Sequence, residues 1–343
     1  MVAMAELPGV GVVMLAYGDE PVLDRAIDAV LASKGVDVSL VVVDNGCRRP
    51  DLADLTGRDG VELVRPSRNL GFAGGVNLGA SRVRAEYLAL VNSDAIVDPD
   101  ALARLVTVAA EPDVGLAGGS IRLAADPTTM NSAGNPVHVL GLCWAGGLGE
   151  PASAHARACD VASASGAGLV VRRALWEQLG GFPAAFFAYQ EDVELSWRVW
   201  QAGLRVRYVP DAVVVHHYEF SRNALKMYLL ERNRLLFVLT CYGSRTLALL
   251  ALPLLAFEVA MGAVALTQGW GRQKARGWVW VVRHLRWIRA RRRLVQGSRV
   301  VPDRALVRLW TDHFDPAAMP LPGWAAPLQL LIAGYWRLVR RVL

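Results

Sequence analysis

Four short apolar runs, each ending in polar residues, constrain this chain more than any other feature. They are Gly9 to Tyr17 (GVGVVMLAY), Val38 to Val43 (VSLVVV), Val61 to Val64 (VELV) and Tyr87 to Val91 (YLALV). Runs this short and this rich in β-branched residues read as strands buried on both faces. Between the first two, Val22, Leu23, Ala26, Ile27 and Val30 recur at the 3.6-residue spacing of a helix. Another helix ends at Ser81 to Arg84, just before the fourth run. Such alternation predicts an α/β fold, a mostly parallel sheet with helices on both faces. Ligands of such sheets bind outside the carboxyl ends of the strands. Tyr17, Asp19, Asp44, Asn45, Asn92 and Asp94 occupy those ends.

Residues 120–165, rich in Gly, Ala, Ser and Pro, read as an irregular region with a few short strands. Ser165 to Arg172 reads as a strand returning to the sheet, and Arg173 to Leu179 as a short helix ended by Gly180-Gly181. A helix is expected from about Val193 to Ala202, with Gly203 as its cap. Final strands at Arg205–Tyr208 and Ala212–Val215 lead to His216-His217. From Asn223 the character changes. Ala224 to Tyr242 reads as an amphipathic helix, with Arg222, Lys226, Arg232 and Arg234 beside many leucines. Thr246 to Thr267 is long and apolar enough to cross a bilayer. Pro253 is expected to break it and Glu258 is costly at mid-span, so a helix pair lying at the interface fits equally.

Charge agrees with a lipid-facing tail. The 343 residues are 53% hydrophobic and 20% charged, with a net charge of +6. The stretch Gly269 to Gly297 contains no Asp or Glu among its many arginines. Trp270, Trp278, Trp280 and Trp287 interleave with those arginines, the pattern of an interfacial anchor on an anionic membrane surface. That interleaving disfavours nucleic acid as the partner. The four cysteines form no CxxC pair, which argues against a metal knuckle or disulfide framework and suits a reducing compartment. Met1 to Pro8 lacks a basic region and carries Glu6, so no signal peptide is expected. The expected division is a sheet domain over 1–221, membrane-associated helices over 222–300 and a helical tail over 301–343.

The chemistry concentrates in Gln190-Glu191-Asp192-Val193-Glu194-Leu195-Ser196-Trp197-Arg198, which follows the aromatic loop Gly181 to Tyr189. Acids at a helix start favour the helix dipole, and Glu194 can pair with Arg198 one turn on. That explains Glu194 better than Glu191 and Asp192, which follow aromatic rather than solvated chain. A general base needs a carboxylate in a partly dry pocket. Elsewhere, Asp44-Asn45-Gly46 is either a turn or a ligand-facing strand end. The glycines between Asn69 and Asn77 let backbone approach a phosphate or sugar, although their spacing matches neither a P-loop nor a dinucleotide fingerprint. Asn92-Ser93-Asp94 can hold Mg²⁺ or Mn²⁺ or can cap a helix. Of His216 and His217, at most one faces any given side of the sheet.

In order, the chain offers Asp44, the Asn69–Asn77 loop, Asn92-Ser93-Asp94, Gly166-Ala167-Gly168, Gly180-Gly181-Phe182, Glu191-Asp192, and Pro210-Asp211 followed by His216. This series resembles the family 2 glycosyltransferases of GT-A fold, especially the bacterial rhamnosyl- and galactosyltransferase-like branch, over about Val10 to Ser221. The tail is similar to that of actinobacterial members. The resemblance implies that Ala16, Tyr17 and Asp44 hold the nucleotide. It implies that Asn69, Gly71, Gly74 and Asn77 shape the nucleotide-sugar pocket, with Asn92 and Ser93 beside it. Asp94 and His216 would hold a divalent metal, Mg²⁺ or Mn²⁺, on the diphosphate. Asp192 would be the general base of an inverting transfer, with Glu191, Trp197 and Arg198 as acceptor-side or orienting residues. Asn92 stands where the family's metal motif has its first Asp, and Gly18 where an Asn is usual. The implied partners are a nucleotide-diphosphate sugar and a glycan or lipid-linked acceptor, met at the cytoplasmic face of the cell membrane. A nucleotidyltransferase is the competing enzyme, but the acidic Tyr17-Gly18-Asp19-Glu20 would repel a triphosphate. A catalytically inactive membrane-bound scaffold of the same fold is the non-enzymatic alternative.

Overall fold

A computed structural model describes residues 6–217, 223–315 and 326–343. The expected boundary at 221 and Arg222 lie outside the described residues. The chain begins with β1 (Gly9–Gly18), α1 (Leu23–Leu31), β2 (Asp37–Cys47), β3 (Val61–Val64), α2 (Gly71–Ala80), β4 (Tyr87–Val91), β5 (Ala95–Val97) and α3 (Ala101–Ala109). Next come β6 (Val114–Leu123), β7 (Asp126–Ser132), β8 (Val137–His138), β9 (Cys159–Asp160), β10 (Gly168–Arg172), α4 (Arg173–Leu179), α5 (Glu191–Gln201) and β11 (Arg205–His216). The C-terminal part holds α6 (Ala224–Cys241), α7 (Ser244–Thr267), α8 (Gly271–Arg283), α9 (Leu285–Gly297), α10 (Asp303–Leu306), β12 (Trp310–Thr311) and α11 (Ala326–Val342).

The expected α/β layering forms. One sheet runs β3-β2-β1-β4-β10-β6-β11-β5, with β7 on β6 and β9 on β11. Its first four strands are parallel. Beyond them the sheet is mixed, because β10 enters antiparallel to both β4 and β6. The two expected final strands are one strand, β11, whose register slips between Val209 and Val213. Pro210 lies in that slip, where it has no N–H to give the ladder. Helix α5 starts at Glu191, two residues before the expected Val193. Gln190 is left-handed (φ 66°) and its carbonyl already accepts from Glu194 N at 3.0 Å.

Each face of the sheet carries its own core. Val10, Val12 and Met14 pack with Ile27 and Leu105 on one side. Val13, Val43 and Leu90 belong to the other, which extends through Trp197 to Phe237, Tyr242, Trp310 and Trp336. The helices after residue 222 therefore complete a core begun by the sheet. Trp197 is wholly enclosed there, its ring 5.7 Å from Phe237 and 4.8 Å from Trp310.

Helix α7 is the one described helix long and apolar enough to cross a membrane, and only 11% of its most apolar stretch is buried. The expected break at Pro253 does not occur, and the helix runs through it. Leu252, Leu255, Val259 and Leu266 face outward, 62–76% exposed. Glu258 faces inward to ion pairs with Arg234 and with Lys274 Nζ (2.9 Å), and Glu231 pairs with both cations. Four charges thus bolt α6, α7 and α8 together. The four tryptophans do not form one row: Trp270 is buried, Trp280 stacks on His284, and Trp278 remains 39% exposed.

Candidate active site

The carboxyl ends of β1 and β2 meet in register, Ala16 beside Asp44. Ala16 is buried, whereas Tyr17 projects from the edge, 60% exposed. Asp44 divides its two oxygens. Oδ1 accepts from Gly46 N (3.2 Å) and Cys47 N (3.0 Å), which is the turn, while Oδ2 faces Arg65 Nε at 3.1 Å. Glu20, read in the sequence only as part of an acidic loop, is buried and central. Its Oε1 accepts from Tyr17 N and from Ser93 Oγ, both at 2.9 Å, and so ties the end of β1 to Asn92-Ser93-Asp94. Burial pushes its carboxyl up against the opposing pull of those bonds.

Antiparallel pairing of β11 with β5 sets His216 opposite Ala95, and hence beside Asp94. His216 Nε2 lies 3.1 Å from Asp94 Oδ1 and 3.3 Å from the Asn92 amide. On the far side of the ring, Nδ1 meets Asn131 Oδ1 at 3.0 Å, so both ring nitrogens have polar neighbours and the ring is held in place. An imidazole nitrogen and a carboxylate oxygen this close form a donor pair that a divalent cation can share. Among the described residues no cluster of three or more His, Cys, Asp or Glu side chains forms. A cation here would have two protein ligands and take the rest from phosphate and water, as Mg²⁺ and Mn²⁺ do beside nucleotides. The donor set fits such an ion.

Asp192 reaches the same neighbourhood through one turn. Its Oδ2 accepts from Gly166 N (3.0 Å) and its Oδ1 from Val193 N (2.8 Å). The next carbonyl in that turn, Ala167 O, accepts from Asn92 N at 3.2 Å. The carboxyl and the Asn92–Asp94 segment thus flank a single turn. Burial raises the Asp192 pKa, and the bonds from Gly166 and Val193 oppose it. Glu191 is more deeply enclosed, and its Oε2 has no hydrogen-bond partner. Burial and then the charge of Asp192 hold its carboxyl well above the usual range.

Trp197 and Arg198 face protein, not an acceptor. Arg198 pairs with buried Glu194 (2.6 Å) and donates to the carbonyls of Leu179 and Gly181, both at 2.6 Å. Arg291 of α9 reaches the other Glu194 oxygen at 2.6 Å. The Trp197 and Arg198 side chains are both buried within the fold.

The glycine-rich stretch also turns inward. A Cβ on Gly71 would lie 2.3 Å from Phe187 O, and one on Gly74 2.9 Å from Leu70 Cβ. The close approach at Gly71 is to the protein's own aromatic loop. Asn69 Oδ1 accepts from Gly71 N at 2.7 Å, and buried Asn45 holds the segment through Asn69, Leu70 and Gly71. Both ends of the Asn77 amide are occupied by Phe182 backbone, at 2.8 and 2.9 Å, so Asn77 acts through that loop.

The aromatic loop is strained. Phe187, Tyr189 and Gln190 all have positive φ, 65°, 71° and 66°. Ala188 N donates to Phe186 O across Phe187, a γ-turn of the positive-φ form. Each such residue costs on the order of 1–3 kcal/mol unless its surroundings enforce it. The enforcing side chains are Arg232 and Asn233 of α6, which donate to carbonyls of the loop. Their one local signal is an amide between two arginines inside a leucine-rich helix.

Residues 8–237 match the model of the family described as glycosyltransferase like family 2. An N-acetylglucosaminyl-diphospho-decaprenol L-rhamnosyltransferase of Mycobacterium tuberculosis is 29% identical over 235 residues, 61% of this chain and 76% of that protein. The O-antigen biosynthesis protein RfbC of Myxococcus xanthus is 29% identical over 62% of this chain and 18% of its own length. Among solved structures, GalNAc-T7 with UDP, GalNAc and Mn2+ superposes with a TM-score of 0.57 at 16% identity, over 68% of this chain and about half (49%) of that one. The mannosyltransferase PcManGT of Pyrobaculum calidifontis, in complex with GDP-Man and Mn2+, gives 0.51 at 17% identity over 98% and 87%. At such identities the structures speak for the fold alone.

Proposed function

The chain belongs to the glycosyltransferase like family 2, and from that premise we propose an inverting transfer of one sugar from a nucleoside-diphosphate donor to a hydroxyl of a lipid-linked glycan, with Asp192 as general base. One observation carries this reading: the Asp192 carboxyl, held among the described residues by amide N–H groups alone, stands across a single turn from Asn92. Tyr17 and Asp44, over buried Ala16, would receive the nucleoside. Asn92 and Ser93 would border the sugar, and the Asn69–Asn77 loop would wall the pocket from behind. Asp94 and His216 would hold Mg²⁺ or Mn²⁺, which would offset the charge of the departing nucleoside diphosphate. Asp192 takes the proton of the acceptor hydroxyl as that oxygen attacks the anomeric carbon opposite the diphosphate. The bond to the diphosphate oxygen breaks and its electron pair leaves with the nucleotide. No protein nucleophile is required. A carboxyl raised by burial is the better base, because it binds the proton more tightly.

The mycobacterial relative's name carries a diphospho-decaprenol-linked sugar, and others name O-antigen and succinoglycan biosynthesis. These support cell-envelope glycan synthesis, and the proposal sets it at the cytoplasmic face of the membrane. The apolar face of α7 and the exposed arginines of α8 and α9 suit an anionic bilayer surface. An α7 that lies on the membrane surface leaves Glu258 with its partners Arg234 and Lys274, and the proposal takes that arrangement. Purified protein is assayed with UDP-, dTDP- and GDP-sugars, Mn²⁺ or Mg²⁺, and polyprenyl-diphosphate-linked acceptors. Nucleoside diphosphate release that depends on the acceptor is expected. Asp192→Asn should lose transfer while donor binding survives, and wild-type turnover in that variant sinks the base assignment.

A further inference from the structure

We infer that Asn233, carried with Arg232 on α6, is a positioning residue that sets the Asp192 carboxyl for reaction through the backbone of residues 185–190. The inference rests on the reading of Asp192 as base. Asn233 is wholly buried. Its Nδ2 lies 2.9, 2.8 and 2.7 Å from the carbonyls of Phe186, Ala188 and Tyr189. Its Oδ1 accepts from Arg232 Nε at 3.0 Å and Nη2 at 2.9 Å. The same Nη2 donates to Ala185 O and Phe186 O, both at 2.8 Å. Two neighbouring side chains thus gather four of five consecutive carbonyls. The guanidinium carbon of Arg232 is itself held 4.8 Å from the Trp280 ring centre and 5.1 Å from that of Tyr228.

The gathered segment is the one that cannot hold its shape alone. Phe187, Tyr189 and Gln190 keep left-handed backbone only while the surroundings impose it. Gln190 is the residue from which α5 starts, and Asp192 is the second residue of that helix. A shift of the Tyr189 carbonyl therefore turns the first turn of α5 and with it the Asp192 side chain. Other buried polar groups of α6 serve other ends. Arg234 donates to Leu140 O and pairs with Glu258, and the Thr240 hydroxyl bonds within and beside its own helix turn. Convergence on the loop belongs to Arg232 and Asn233.

Misplacement of a catalytic group by about 1 Å costs on the order of 100-fold in rate. The test compares Asn233→Ala, Arg232→Lys and, as control, Thr240→Val, a buried change on the same helix that leaves the loop untouched. Thermal midpoint, donor KM, kcat and the pH profile of kcat are measured on the full chain. For Asn233→Ala, kcat should fall about 100-fold with donor KM within about 2-fold, and the acid limb of the profile should move. Arg232→Lys should fall about 10-fold in the same pattern, while Thr240→Val keeps wild-type kcat and acid limb. A folded Asn233→Ala with wild-type kcat and an unmoved acid limb overturns the inference. If Asn233→Ala fails to fold, Arg232→Lys decides by the same criteria. Asp192→Asn is run alongside. Its full turnover defeats the base assignment, whereas its loss beside a wild-type Asn233→Ala defeats the positioning role alone.

Discussion

Helices α5 and α7 both carry carboxylates in apolar surroundings, and they treat them in opposite ways. In α7, Glu258 lies among Arg234, Lys274 and the Trp278 indole. In α5, Glu194 is likewise enclosed between Arg198 and Arg291. Two residues earlier in the same helix, Asp192 meets only amide N–H groups among the described residues, and one oxygen of its neighbour Glu191 meets no donor there. Glu191 and Glu194 are buried, and Asp192 and Glu258 are half-buried. What differs is the counter-charge: burial raises Glu191 and Asp192, and no cation among the described residues pairs with either. An acid paired with a cation joins elements of the fold, and an acid left with neutral donors is free to take a proton.

The widest separation should come from neutralising one acid of each kind. Asp192→Asn should lower kcat by about 10²–10⁴-fold, the range for loss of a general base, with the thermal midpoint kept. Glu194→Gln should do the reverse. It strands Arg198 and Arg291 without a counter-charge, for a loss of about 3–5 kcal/mol of stability, while kcat per folded molecule holds. Denaturant unfolding and steady-state kinetics on both variants read the contrast. If Glu194→Gln loses activity at unchanged stability, counter-charge is not what divides the two classes.

The elements were legible in the sequence where the signal is local. The valine runs of β1 and β2 end in polar residues, and the apolar period of α1 is clear. Their pairing was less so: nothing in Gly168–Arg172 says that it enters antiparallel, because partner choice is a tertiary property. Asp94 and His216 were legible through the resemblance, and the structure brings them together. The residues that hold the site were not. Glu20 meets Ser93 across 73 residues and Asn131 meets His216 across 85. No local pattern reports such a bond. The glycines were ambiguous for a different reason. A missing Cβ shows that something comes close, and at Gly71 it is Phe187 rather than a phosphate.

The two sides of α7 extend the comparison to a smaller effect. One side carries Glu258 and its cations, the other Leu252, Leu255, Val259 and Leu266 in the open. Leu252→Ser with Leu255→Ser should leave the thermal midpoint unchanged, since neither side chain is buried. Each Leu removed from an apolar membrane contact should weaken partitioning by about 1.5–3 kcal/mol. Co-sedimentation with vesicles containing anionic lipid measures it. Equal binding by wild type and variant would show that this side does not meet the bilayer.

The smallest effect concerns Glu191, and its sign is the informative part. Its folded pKa lies well above the ordinary glutamate value, raised by burial and then by the charge of Asp192. The folded protein therefore holds a proton here over a range in which the unfolded chain has released it. That contribution is fully present below the unfolded value of about 4.3 and is lost as pH rises through the folded pKa. Glu191→Gln keeps the shape and carries no charge to bury. The variant should match wild type at acid pH and melt a few degrees higher at neutral to alkaline pH. Melting curves across that range decide it. A variant less stable than wild type at alkaline pH would mean that the Glu191 carboxylate finds a partner when charged, and Glu191 would then belong with Glu194 and Glu258 among the acids that hold the fold.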